Sequence, residues 1–65
     1  MKPHQERVVT ERAELDDKRR KLAAFIGTDV WEDLDGAEKA RLRCQLSVMN
    51  LYSEILGERI AAFVP

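Results

Sequence analysis

From Ala37 to Phe63 the chain reads as one long helix whose apolar surface is too broad for a single companion. With about 100° of rotation per residue, Cys44, Val48, Leu51, Ile55 and Ala62 line one direction, while Leu42, Leu46, Met49, Leu56 and Ile60 line nearly the opposite one. Only Lys39, Arg43, Ser47, Asn50, Glu54 and Glu58 are left for water. A surface helix ordinarily carries an apolar stripe somewhat over ~100° wide, and this arc is roughly double that. One neighbouring helix covers one side; the second side predicts assembly with further copies of the chain.

Size points the same way. A chain of 65 residues is one domain, residues 1–65, and hides a smaller share of its surface than a larger one. Small domains compensate with disulfides, metals or extra subunits. The lone Cys44 excludes an intrachain disulfide, and one His with one Cys supplies no structural zinc site, so no metal or cofactor is expected. The net charge of −1 hides a segregation. Lys2, Arg7, Arg12 and the run Lys18 to Lys21 lie early, whereas Asp29, Glu32, Asp33, Asp35 and Glu38 lie in the middle. Such blocks favour docking between subunits over coating a polyanion, so duplex DNA is not an expected partner. No apolar run approaches the roughly 20 residues needed to span a bilayer, and no signal peptide opens the chain; a soluble, cytoplasmic protein without a membrane partner is expected.

Local signals divide the chain into a helix over about 3–26, a short helix over about 29–34 and a long helix over about 36–63. Pro3 suits a first helical turn. Val8, Leu15 and Leu22 recur every seven positions, with Phe25 and Ile26 extending that side, and Gly27 stops the helix. Thr28 and Asp29 cap the short helix, with Asp29 and Glu32 at capping-box spacing; Asp35 and Glu38 repeat that spacing at the start of the long helix, which runs to Pro65. Gly57 weakens that helix or lets another backbone approach. The predicted fold is all-α: a helical hairpin with a short connecting helix, assembled into a homo-oligomeric helical bundle.

Polar residues in the apolar sector are the candidates for function. On the first helix His4, Arg7, Glu11 and Lys18 fall in the sector of Val8, Leu15, Leu22 and Phe25. Charges in an interface must be paired or must serve a ligand, because burying an isolated ion costs several kcal/mol. Pairing of Glu11 with Arg7 or Lys18 and outward snorkelling are the competing explanation. On the long helix Arg59 projects from the apolar arc near Tyr52 and Leu56, and Arg41 shares its angular position. A guanidinium there suits phosphate, or else an acidic elbow residue of another subunit. Cys44 is expected as a buried packing thiol rather than a nucleophile. Met49, Tyr52 and Trp31 are expected in core and elbow packing, with Tyr52 or Trp31 as alternative stacking rings.

The stretch His4-Gln-Glu-Arg-Val-Val-Thr-Glu-Arg-Ala-Glu-Leu-Asp-Asp-Lys, followed by Lys21-Leu22 and Phe25-Ile26, resembles the N-terminal part of a family of short phage proteins. A second block matches at Leu42, Gln45-Leu46, Met49, Tyr52, Ile55-Leu56 and Arg59-Ile60. That family includes the anti-CBASS sponges, which sequester cyclic oligonucleotide signals of bacterial immunity without degrading them. The resemblance implies a hexamer of helical protomers acting in the infected bacterial cell. Cyclic dinucleotides would lie between subunits against an aromatic residue and a lysine of the first helix; in some members a separate pocket takes cyclic trinucleotides through an arginine of the long helix. Lys18 matches the lysine, with Lys21 as substitute, and Arg59 matches the arginine. His4 stands where members carry Tyr and offers a smaller ring of pH-dependent charge. Longer members continue past Pro65, and a trinucleotide pocket built on that extension is expected to be incomplete.

The function expected is therefore a non-catalytic sponge, with His4, Arg7, Lys18, Tyr52 and Arg59 as ligand-binding residues. The alternative is a small helical phage adaptor or inhibitor that clasps a host protein with its apolar face. No enzyme is expected, since neither a metal site nor a poised acid–base pair is visible in the sequence.

Overall fold

Three helices in the order α1 (Pro3–Phe25), α2 (Asp29–Glu32) and α3 (Gly36–Ala61) form the protein in a computed structural model that describes residues 1–63. Each starts on a local device. Pro3 opens α1, and the Gln5 side chain accepts from the Lys2 backbone N–H at 3.0 Å. The Thr28 hydroxyl accepts from the Trp31 N–H at 3.2 Å and so caps α2 alone. Asp29 is the first residue of that helix, which leaves the expected Asp29–Glu32 box without a cap. Asp35 accepts from the Glu38 N–H at 2.7 Å, but the Glu38 carboxylate turns forward to Arg41 at 2.8 Å instead of back to the cap. The box is therefore half made.

The stops also follow local chemistry. Gly27 takes φ 97°, a left-handed conformation that costs glycine nothing. The second helix is one turn, ending at Glu32 and not Leu34, because the chain must extend again to let Asp35 cap its successor. The third ends at Ala61, two residues before the expected Phe63; Pro65, read as its terminator, lies outside the described residues.

The first and third helices pack as an antiparallel hairpin, a rod measuring 49 × 15 × 13 Å. Its seam is thin. Val8, Leu15 and Leu56 are buried, with Met49, Ile60 and Phe63 packed against them. A second cluster closes the elbow: Trp31 is buried, Phe25 meets it edge-on at 6.2 Å, and the Arg43 guanidinium lies 5.3 Å from the indole centroid. Trp31 is elbow packing, as its position suggested. Arg43, assigned above to water, instead covers an aromatic face, where a cation is attracted by the ring quadrupole.

The first helix covers only one of the two apolar sides of α3. Val48, Leu51 and Ile55 remain 61%, 58% and 45% exposed on the other, with Tyr52 beside them at 41%. Cys44 is exposed on that same side, so the expectation of a buried thiol fails within one protomer. Among the described residues no helix is long and apolar enough to cross a membrane.

Candidate functional site

Rotation of α1 decides which of its charges meet α3. The expectation that His4, Arg7 and Lys18 interleave with the packed apolar residues is not met: Val8 and Leu15 face the partner helix, while His4, Arg7 and Lys18 stay exposed and Glu11 is half-buried. Solvation explains it, since an ion left unpaired in the seam would cost several kcal/mol. The charges that do enter are others. Ser53, which is buried, donates to Asp16 Oδ1 at 2.6 Å and accepts from Arg12 Nε at 3.5 Å. Arg19 Nε lies 3.4 Å from Asp16 Oδ1, buried and too poorly aligned for a hydrogen bond. The Arg12 guanidinium fills the notch at Gly57, where an added Cβ would lie 2.8 Å from Arg12 Nη2. The close approach suggested for Gly57 is thus by a side chain, not a backbone.

These contacts fix the edges of the hairpin. Arg12 and Asp16 lie to one side of Val8 and Leu15 around α1, and Ser53 and Gly57 lie to one side of Leu56 around α3. By the ~100° helical step, the opposite edge receives His4, Arg7, Glu11 and Lys18 from α1 and Tyr52 and Arg59 from α3. The candidates therefore share a side of the rod, but not one place on it. His4 and Lys18 are about 21 Å apart along the helix axis. Arg7 and Arg59 share the level remote from the elbow, with Tyr52 and then Lys18 nearer to it. No hydrogen bond or ion pair joins any of these five among the described residues.

Availability distinguishes the cations. Asp17 holds Lys21 at 2.9 Å and Arg20 at 2.8 Å, and those partners, Lys21 foremost, hold its carboxyl below the ordinary 3.8. Lys18 has no ion pair among the described residues, and with Val9, Ala13 and Lys21 it borders an open depression of about 540 Å³ on the outer face of α1. Arg7 borders a second, of about 450 Å³, with Pro3, Glu11 and Glu14. Neither hollow includes His4, Tyr52 or Arg59. Arg41 is committed to Glu38 at 2.8 Å. Arg59 sits at the far end of the rod from the acidic elbow, so a salt bridge between them requires a second copy.

No group of three or more metal-ligating side chains occurs among the described residues. Sequence reading missed the seam group of Arg12, Asp16, Arg19, Ser53 and Gly57. Its signal was present in the i, i+4, i+7 spacing of the three α1 charges and in one serine amid the inner apolar line of α3.

Compared with known proteins, the chain matches the family model described as Sequestin over residues 2–62. No curated protein and no solved structure matches it.

Proposed function

The chain belongs to the Sequestin family, the non-catalytic anti-CBASS sponges that sequester cyclic oligonucleotides in phage immune evasion, and from that premise we propose that it captures its ligands in pockets formed between subunits of a homohexamer in the cytoplasm of the infected bacterium. Cyclic dinucleotides would be held by Lys18 and Arg7 on the phosphates with His4 stacked on a base. Cyclic trinucleotides would use Arg59, with Tyr52 as the ring. One observation carries this reading: α3 keeps a whole apolar side exposed, Val48, Leu51 and Ile55 included, with Arg59 and Tyr52 on its flank.

The reasoning is geometric. Candidates spread over about 21 Å of a single helix do not close around one small ligand, whereas copies docked through the apolar side supply walls from several chains at once. Docking also dries the site, which strengthens the charge-assisted hydrogen bonds of lysine and guanidinium to phosphate. A pocket assembled before the ligand arrives avoids the ordering cost of binding.

Isothermal titration against a panel of cyclic di- and trinucleotides, paired with sedimentation equilibrium, tests the proposal. Saturable heat from a hexamer is expected, with the ligand recovered intact after denaturation. A solitary protomer that gives no heat with any of them would remove it and leave the host-protein adaptor.

A further inference from the structure

We infer that Arg12, Asp16 and Ser53 form a register key, a positioning group that helps to select one axial alignment of α1 on α3 from alignments which apolar packing along the seam alone cannot tell apart. The degeneracy is written in the sequence. On the inner side of α3, Leu42, Met49, Leu56 and Phe63 repeat every seven residues without interruption. The neighbouring line, Leu46, Ser53 and Ile60, is interrupted once, by Ser53. Opposite them Val8, Leu15 and Leu22 also recur every seven. Sliding one helix past the other by seven residues, about 10 Å, therefore sets apolar side chains on apolar side chains again.

The polar group removes that freedom. In the observed alignment the carboxylate of Asp16 accepts the Ser53 hydroxyl proton at 2.6 Å, and Arg12 reaches the same hydroxyl at 3.5 Å. A slip in either direction brings Leu46 or Ile60 to the place of Ser53, so that Asp16 loses the hydroxyl it accepts from and keeps only Arg12 and Arg19 of its own helix. Gly57 leaves room for the Arg12 guanidinium beside Ser53; a Cβ there would stand 2.8–3.0 Å from it and displace it at little cost, since it is the free end of a flexible side chain. A lone polar layer that sets register at a cost in stability is the best attested use of such groups.

The connection between the helices also favours the observed alignment, because a slip would unwind α2 and uncover Trp31 from Phe25 and Arg43. It does not forbid the slip, since residues 26–35 could reach about 30 Å if extended. Alignment matters for capture because it sets Arg7 level with Arg59; that consequence rests on the edge proposed above, whereas the key itself does not.

The test uses the full chain with Cys44→Ser, Glu6→Cys and Ala40→Cys, spin-labelled at the two exposed positions, diluted with unlabelled protein and read by pulsed dipolar spectroscopy. This parent is expected to show one narrow distance. Adding Asp16→Leu and Ser53→Leu should leave the melting temperature unchanged or higher and create a second population displaced by about 10 Å, one heptad of helical rise. A single unshifted distance in that variant overturns the key. Should the leucine variant fail to fold, Ser53→Ala in the parent decides, because it removes the hydroxyl that Asp16 accepts from with little change of volume. A broadened or second distance supports the key; a single unshifted distance overturns it.

Discussion

Asp17 links acidity to stability in a definite direction. Lys21 first and Arg20 second hold its carboxyl below the ordinary 3.8, and a carboxylate depressed in the folded state contributes stability above its unfolded pKa that is lost as pH falls through the folded value. Asp17→Asn should therefore be less stable than the parent at neutral pH, with the difference closing below pH 3.8. Urea unfolding at several pH values reads this, and added salt should shrink the gap because the pair is solvent-exposed. The same clamp separates two neighbouring lysines. Lys18→Ala is expected to weaken nucleotide capture roughly 10- to 100-fold, the worth of one charge-assisted hydrogen bond, with assembly unchanged. Lys21→Ala, which removes a cation already engaged by Asp17, should cost less in the same titration. At this scale the sequence was least transparent. A helical wheel yields the width of an apolar sector but not the direction in which the partner sits; a modest turn of α1 sent His4, Arg7 and Lys18 to the rim and brought Arg12, Asp16 and Arg19 inward.

Capping chemistry governs the elements, and its strength can be ranked. Asp35 accepts at 2.7 Å at the head of α3, whereas Thr28 accepts at 3.2 Å at the head of the one-turn α2. Asp35→Ala should lower stability by about 1 kcal/mol, measured by thermal or urea unfolding followed by circular dichroism. Thr28→Ala should show a smaller loss, visible chiefly in the emission of Trp31, whose N–H the hydroxyl accepts. Removing Arg43 from the indole face should also shift that emission, at a cost of about 0.5–1 kcal/mol in unfolding. Helix order, the Gly27 stop, both acidic and hydroxyl caps and the two-sided character of α3 were legible beforehand, since each depends on a few adjacent residues. The boundary at Glu32 moved because the chain re-extends before Asp35, which is not a property of the short helix itself; the stop at Ala61 has no structural explanation, since Phe63 beyond it still packs on the seam.

At the scale of the whole molecule the unmatched feature is the bare side of α3. Leu51, 58% exposed near its middle, is the residue through which to test assembly: Leu51→Glu should move the sedimenting species toward the protomer mass of 7.5 kDa, because a carboxylate buried in an apolar contact costs several kcal/mol. The breadth of α3 was legible in the sequence, whereas Cys44, expected buried, lies on the exposed apolar side and not in the hairpin seam. The candidates are scattered over several turns and do not meet within one chain, so a helical wheel had no single site to reveal.

The rod is only 15 × 13 Å in cross-section, the thickness of two helices lying side by side. A body so slender has no enclosed interior, so capture between subunits, as proposed, should depend on dose cooperatively. At scarce expression the polypeptide would hold almost no signal, and past the association point each added copy would count fully. Titrating expression in cells should trace a threshold in protection instead of a straight line from the origin.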